Sequence, residues 1–542
     1  NEFLSVISEN NGLKQYLNNL LVGKPFTKRS WLYEHVKDPD DILQDWMNVL
    51  SQLEDGNSFE EKVYKFDISQ VEKWGPQGGV QPISEIMDIV LAGFRDDSPR
   101  PSAFTSYNWQ KAKELVRRQF RQLRLSLRPR AYHKVIADMD SRDTLISNSG
   151  WPLFERRSMP SAIEQAVNAA HSGDWKNYPA IALFRNYNQK TRLVWMFPMA
   201  ANVKEGSYLQ PLQEGIISHL NKALSKTRNG VTYDWTDYFT PWLGFDPVRK
   251  LIGFTYSPMA GIIAASDFKE TDAHFTKWHT MEVFDVIKDC FMPEYRDGLY
   301  ESMMAMHTIP LLIGPDKMVV GEHGVSSGSN WTNFVETVFD HIFAVYVWRM
   351  TGGYLVGNND HEFYGLCGIG DDMAWVTYGE YNDAFADKLE QYGKEVGHII
   401  QPSKTTNKED EVKFLQRLFQ RGYNRQDGTI RGVYPTVRAL KSSVFPEQYH
   451  RPKSWNSNMF CARQFMILEN CVDHPLFEEF VKFVVKGQKD LIPFALKPKR
   501  ELDRILRESK LIPGLNPTYN QERKGHSLDS FASVQLVRKL FK

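Results

Sequence analysis

The stretch 364–377 holds two short apolar runs on either side of Gly370-Asp371-Asp372. The first is Tyr364-Gly365-Leu366-Cys367-Gly368-Ile369 and the second is Met373-Ala374-Trp375-Val376-Thr377. Apolar runs of this length, separated by a turn signal, predict a β-hairpin. The hairpin carries two adjacent carboxylates at its tip. Adjacent carboxylates repel, and a tight turn is a costly place for them unless a cation stands nearby. Hard divalent ions take carboxylate oxygens as ligands, so a pair of such ions is the natural counter-charge. The same three residues also suit an ordinary solvated turn, where Asp and Gly are common. Other stretches must decide between the two.

A chain of 542 residues with 42% hydrophobic and 13% aromatic content can bury several packed units or one multi-lobed body, and is not a disordered chain. Its 66 basic and 66 acidic residues cancel, so overall charge does not announce a nucleic-acid partner and any basic surface is local. Cys290, Cys367, Cys461 and Cys471 form no Cys-x-x-Cys pair, which argues against a zinc ribbon and a disulfide framework and fits a reducing, cytosol-like compartment. No apolar run has the length of a membrane span, and the N-terminus lacks a signal-peptide pattern. The first residue is Asn1 rather than Met, as in a trimmed or processed chain.

Leu13, Tyr16, Leu17, Leu20 and Leu21 give residues 1–24 one apolar helical face. In 109–130, Val116, Phe120, Leu123 and Leu127 predict an apolar helical stripe ending near Pro129. Arg117, Arg121, Arg124 and Arg128 follow the same spacing on an adjoining face. This is either a solvated charged face or a stripe that tracks phosphates. Ser147-Asn148-Ser149-Gly150-Trp151-Pro152 reads as a loop. Lys190 and Arg192 alternate with Thr191 and Leu193, as on a strand with one cationic face, where they either hold a triphosphate or guard a sheet edge.

The run Gly261-Ile262-Ile263-Ala264-Ala265-Ser266 predicts a buried strand that delivers Asp267 to the sheet edge, with Asp272 five residues on. A helix follows through Phe275, Trp278, Val283 and Ile287. The loop 324–333 is richer in Gly and Ser than a helix cap requires, as for backbone that approaches a ligand or moves, and it opens a helix carrying Phe334, Val338, Ile342 and Val345. Residues 436–542 read as mainly helical, with basic patches at Lys497, Lys499, Arg500, Arg504 and Arg507. Asp267 on one strand and Asp371 and Asp372 on the neighbouring hairpin can hold two divalent ions that clamp an in-line phosphoryl displacement. Lys190 and Arg192 would neutralise an incoming triphosphate, and Asp272 would accept a hydrogen bond from a ribose 2′-hydroxyl.

These residues, in this order, resemble the right-hand RNA-dependent RNA polymerases of RNA viruses. Asp267-x4-Asp272 is similar to their motif A, Ser327-Gly328-x3-Thr332 to motif B and Gly370-Asp371-Asp372 to motif C. Lys404 fits motif D, Phe414-Leu415-Gln416-Arg417 motif E, Lys190-Thr191-Arg192 motif F and Ser147 to Pro152, more weakly, motif G. The set spans 147–420. Its style is closest to the small double-stranded RNA viruses, picobirnaviruses first and partitiviruses second.

The resemblance implies an α+β fold of fingers, palm and thumb, with a split βαββαβ antiparallel palm sheet and helix-rich fingers and thumb. It implies an N-terminal segment 1–50 bridging fingers and thumb, mainly fingers over 51–255, a palm over 256–435 with inserted fingers near 280–320, and a thumb with C-terminal tail over 436–542. It implies RNA synthesis on a viral RNA template, for transcription and replication of a double-stranded RNA genome. Asp267 and Asp371 would be the chief ligands of two Mg²⁺, with Mn²⁺ as the alternative ion, and Asp372 would assist. Lys190 and Arg192 would bind the triphosphate, with Arg185 a further candidate, and Lys404 would protonate the pyrophosphate. The partners implied are RNA template and product, ribonucleoside triphosphates and capsid protein, without a membrane, in the virion interior and host cytoplasm.

One departure stands out. Where the family pattern has Asn four residues after the motif B Thr, this chain has Glu336, which leaves Asn333 or Ser327 to read the sugar with Asp272. A reverse transcriptase fits less well, because its hairpin carries other residues before the two acids and it blocks the 2′ position with bulk. A non-catalytic RNA-binding scaffold of the same fold would not need all three acids. Residues 511–530 carry two Pro and two Gly between helical patterns. They read either as a surface loop or as a segment folding back so that Tyr519 or His526 stacks on a first nucleotide.

Overall fold

The computed structural model describes residues 2–28, 38–95, 98–232, 234–352, 363–448, 450–451, 453–515 and 526–542. The chain divides into two units. The first comprises Asn1–Val22, Pro82–Leu183 and Leu193–Leu415, and the second Gly23–Gln81, Phe184–Arg192 and Gln416–Lys542. The strands that position the site are β1 (Ala180–Tyr187), β2 (Lys190–Met196), β3 (Ile262–Ser266), β4 (Phe268–Lys269), β5 (Leu311–Leu312), β6 (Met318–Val319), β7 (Tyr364–Ile369), β8 (Asp372–Thr377), β9 (Ile399–Ile400) and β10 (Thr406–Asn407).

The first unit is built on the sheet β10-β3-β8-β7. The expected hairpin is β7 and β8, antiparallel, with Ile369 opposite Asp372 and a bulge between Gly365 and Cys367. The buried run of β3 pairs antiparallel with β8, from Ile262 opposite Thr377 to Ser266 opposite Met373. Met373 to Thr377 and Ile262 to Ala265 are all buried, as strands covered on both faces must be. One cover is the helix Trp331–Met350, which is buried along most of its length and carries Glu336, Thr337, Asp340 and His341 among its buried residues. A second sheet, β2-β1-β5-β6, pairs Ala180 and Ile181 in parallel with Leu311 and Leu312. The N-terminal apolar face forms as two helices, Glu2–Glu9 and Asn11–Val22, whose Ile7, Leu13 and Leu17 pack with Trp151 and Ile181.

The second unit is helical around a core that includes Trp46, Phe460, Phe465 and Phe480. One of its buried acids, Asp67, accepts the backbone N–H groups of Thr436 at 3.0 Å and Val437 at 2.8 Å, capping the helix Thr436–Val444. The basic patches expected near 497–507 are largely spent within their own helix. Lys497 pairs with Glu501, Lys499 with Asp503 and Arg504 with Glu508, each four residues apart.

Residues 109–130 also differ from expectation. The helix Tyr107–Gln122 stops short of Leu127, and Arg124 adopts a left-handed φ of 53°. Leu127 instead bridges in parallel to Phe291. Arg117 and Arg121 both reach Asp289, at 2.7 and 2.9 Å, so two of the stripe's four arginines are already paired with an acid. Cys290, Cys367, Cys461 and Cys471 are all buried free thiols. Among the described residues no helix is long and apolar enough to cross a membrane. Of the 511–530 stretch, residues 516–525, including Tyr519, lie outside the described residues, and His526 is exposed.

Candidate active site

Strand pairing builds the site. With Ser266 opposite Met373, the next residue on β3 and the preceding one on β8, Asp267 and Asp372, meet at the same sheet edge. Asp371 sits in the turn. Gly370 has φ +57°, the left-handed backbone that favours glycine, and its N–H donates to the Thr337 hydroxyl at 2.7 Å. That hydroxyl itself donates to the Asn333 carbonyl at 2.6 Å. The Thr271 hydroxyl donates to the Asp371 carboxylate at 3.0 Å. The hairpin tip is thus pinned from the helix Trp331–Met350 and from the short helix Thr271–His274.

The electrostatics are those of crowded acids. The Asp372 carboxyl reaches solvent, yet enough protein surrounds it that desolvation, then the charges of Asp371 and Asp267, push it up to about 7. Burial raises Asp371 as well, against the Thr271 hydrogen bond. Asp340, one turn beyond Glu336 on the core helix, is raised well above the usual carboxylate range by burial and by Asp371 and Asp372. One of its oxygens has no hydrogen-bond partner among the described residues.

Asp272 and Glu336 are hydrogen-bonded to each other, and burial raises both, Glu336 the further. The residue marked as a departure therefore faces the very acid expected to read the sugar. Ser327, by contrast, accepts the Trp195 N–H at 3.1 Å, and Asn333 lies against the Gly370 turn. Glu336, rather than Asn333 or Ser327, is bonded to Asp272.

A cluster of carboxylates raised by one another's charge is a fit for divalent cations, which would relieve that repulsion. Among the described residues no three His, Cys, Asp or Glu side chains close a metal cage by themselves. Mg²⁺ ordinarily takes only one or two carboxylates and completes its shell with water and substrate phosphates, so the donor set suits an ion that arrives with a nucleotide. Asp267, Asp371 and Asp372 would be the side chains to hold it.

The motif B-like loop is fixed closely. Thr332 donates to the Ser326 carbonyl at 2.5 Å, and a Cβ on Gly328 would overlap the Trp195 carbonyl, so only glycine fits there. Lys404 is exposed in the turn 401–405. That turn docks on Asp267: Gln401 N–H donates to its carbonyl at 2.9 Å, and the Thr405 hydroxyl accepts its N–H at 3.3 Å.

Arg185, Lys190 and Arg192 belong to the second unit. Lys190 is exposed at the start of β2. The Arg192 guanidinium lies 4.0 Å from the centre of the Tyr187 ring, and one of its nitrogens has no hydrogen-bond partner among the described residues. Arg185 is held by Glu447 through two bonds of 2.7 and 2.9 Å. Lys441, lowered to about 7 by burial and by Arg438, Lys73 and Arg192, joins this cationic group and was not visible in the sequence. Asp340, Thr271 and Thr337 were also missed. The available signal was Glu336 and Asp340, spaced one turn apart on a mainly apolar helix, where a buried acid needs a reason.

The model of the viral RNA-dependent RNA polymerase family matches residues 187–434. A potential RNA-dependent RNA polymerase of human picobirnavirus is 25% identical over 504 residues, covering 89% of this chain and 86% of that one. The crystal structure of the RNA-dependent RNA polymerase of a human picobirnavirus matches with a TM-score of 0.74 at 21% identity, over 99% of both chains. An insertion-loop deletion mutant of that polymerase matches at 0.75 and 22%, again over 99% of both. The fold is that of these polymerases.

Proposed function

We propose that this chain, an RNA-dependent RNA polymerase similar to that of a human picobirnavirus, extends RNA through a site built on Asp267, Asp371 and Asp372. The observation that carries the assignment is the pairing of Ser266 with Met373, which sets Asp267 beside Asp372. In the reaction the 3′-hydroxyl oxygen of the growing strand bonds to the α-phosphorus of a nucleoside triphosphate, the bond to the bridging oxygen breaks, and pyrophosphate leaves. Bound divalent ions supply charge neutralisation to the attacking and leaving oxygens. We assign Mg²⁺, because a site of few carboxylates completed by phosphates suits its coordination.

Asp267 and Asp371 hold the ions and Asp372 assists. Arg192 and Lys190 take the triphosphate, whereas Arg185 is engaged by Glu447. Lys404 hands a proton to the leaving pyrophosphate from the turn that docks on Asp267, a general-acid role. Ser327, Gly328, Thr332 and Asn333 shape the nucleotide side of the site. Asp272 and Glu336 together meet the ribose 2′-hydroxyl. By the resemblance to enzymes of double-stranded RNA viruses, the template is a viral RNA genome and the enzyme works beside capsid protein, in the virion and the host cytoplasm. Co-sedimentation with that capsid protein checks this last assignment.

Extension of a short RNA template, with Mg²⁺ and Mn²⁺ compared and ribonucleotides set against deoxyribonucleotides, tests the reading. Ribonucleotide-dependent extension with Mg²⁺ is expected. Undiminished extension by a folded D371N variant overturns the site.

A further inference from the structure

A buried acid that touches no reacting atom anchors the loop 324–330. Glu205 stands on the helix Met199–Leu224 and is 2% exposed. Its carboxylate accepts the Ser329 hydroxyl and, at 3.0 Å, the Asn330 N–H. It also accepts the Asn202 amide at 2.8 Å, and that amide donates in addition to the Gly328 carbonyl at 3.1 Å. The Asn202 side-chain oxygen accepts Arg157 at 2.7 Å. Arg157 in turn donates to the Asn148 carbonyl at 3.1 Å and reaches the Phe197 carbonyl at 3.4 Å. One polar chain, with Asn202, Glu205 and Ser329 buried and Arg157 half-buried, thus runs from loop 147–152, past the end of β2, to loop 324–330.

Burying a carboxylate and a guanidinium costs several kcal/mol each unless their hydrogen bonds are made, and well-packed apolar residues are often as stable in their place. Such groups are better explained by the geometry they fix. Here they fix the loop 147–152 and the loop 324–330 to each other.

We propose that Glu205 is a positioning residue: through Ser329 and Asn330 it sets the loop 324–330 against the incoming nucleotide, and through Asn202 and Arg157 it ties that setting to the loop 147–152. The proposal rests on the reading of Ser327, Gly328, Thr332 and Asn333 as substrate-binding. Because Glu205 meets no reacting atom, its loss acts on nucleotide affinity and leaves the bond-forming step of bound substrate largely intact. Burial pushes its carboxyl up to about 7 against the donors around it. Among the described residues the charged group acting on it is Arg157, lowered to about 10 by its own burial and so cationic throughout the neutral range. A protonated Glu205 has one acceptor oxygen fewer for Ser329 and Asn330, so acid should loosen the loop.

Single-nucleotide extension by wild type, E205Q, S329A and N333A, with melting curves, tests this between about pH 6 and 8. E205Q and S329A are expected to raise the nucleotide KM about tenfold or more, the size of a lost hydrogen bond to a charged group, with kcat and melting temperature little changed. The wild-type KM should rise as pH falls through 7, and that of E205Q should not. If N333A raises KM while E205Q and S329A leave it unchanged, the positioning role falls and the loop reading stands. If none of the three changes KM, the loop reading falls and takes the proposal with it. If E205Q and S329A both melt early, with kcat and KM failing together, Glu205 is structural only and the proposal is overturned.

Discussion

The carboxyl of Glu336 is hydrogen-bonded to the carboxyl of Asp272. Two carboxyls share such a bond only when one is protonated. Glu336 is the more strongly raised and the more deeply enclosed, so it donates and Asp272 accepts. A protonated Glu336 thereby offers Asp272 the donor that an amide would offer.

E336Q, which keeps a donor, is expected to retain preference for ribonucleotides over deoxyribonucleotides, and E336A to lose most of it. Competition between the two nucleotide types in primed extension reads the ratio. Equal preference in wild type and E336A refutes the pairing as a sugar reader. The sign of the pH effect follows from the direction of the shift. Glu336 lies well above its ordinary value of 4.5 in the folded chain, so folding takes up a proton. The stability this group contributes is full below 4.5 and is lost as pH rises toward the folded value. Metal-free wild type should therefore lose more melting temperature than E336Q between about pH 5 and 8.

Asp371→Asn should lower extension about a thousandfold or more, the equivalent of roughly 4 kcal/mol of transition-state stabilisation, without unfolding the chain. A second readout needs no catalysis. A divalent ion that binds the folded carboxylates raises the melting temperature, and this rise should be present in wild type and reduced in D371N. Removal of the ion with a chelator should return wild type to its starting value.

Arg192→Ala should raise the nucleotide KM far more than it weakens template binding, because one of its guanidinium nitrogens makes no hydrogen bond among the described residues. Arg185→Ala should do the reverse, leaving KM nearly unchanged. Its guanidinium is already committed to Glu447 and is partly exposed, so the loss is about 1 kcal/mol of stability. A fall in melting temperature with intact kinetics for R192A would return Arg192 to a structural role.

Gly370→Ala should be destabilising by about 1–2 kcal/mol, since φ +57° is unfavourable for any residue with a Cβ. The added methyl would also lie 3.3 Å from the Asn333 amide, which must give by a few tenths of an ångström. Extension should fall more steeply than stability, because the strained turn carries Asp371. A variant with full activity would show that the tip tolerates movement.

The hairpin of β7 and β8 and the buried strand β3 were legible because their periodicity and turn chemistry are local: apolar runs, a Gly-Asp-Asp turn and an acid at a strand end. The basic stripe was legible only in part, for a related reason. Helical spacing showed Arg117 and Arg121 on one face, but the acid that neutralises them, Asp289, is far away in sequence. Glu336 looked like a departure because a motif compares letters one position at a time, whereas its meaning depends on the proton it shares with Asp272.

The sequence alone determined which acids exist and that Asp267, Asp371 and Asp372 would stand at strand ends and turns, because backbone propensity and side-chain alternation act over a few residues. Only the tertiary structure decided what those charges mean. The pairing of Ser266 with Met373 sets Asp267 beside Asp372, burial raises Glu336 until it keeps a proton, and Glu447 claims Arg185. Each is a through-space effect of charge and desolvation between residues far apart in the chain, and such effects follow distance in the fold rather than distance in sequence.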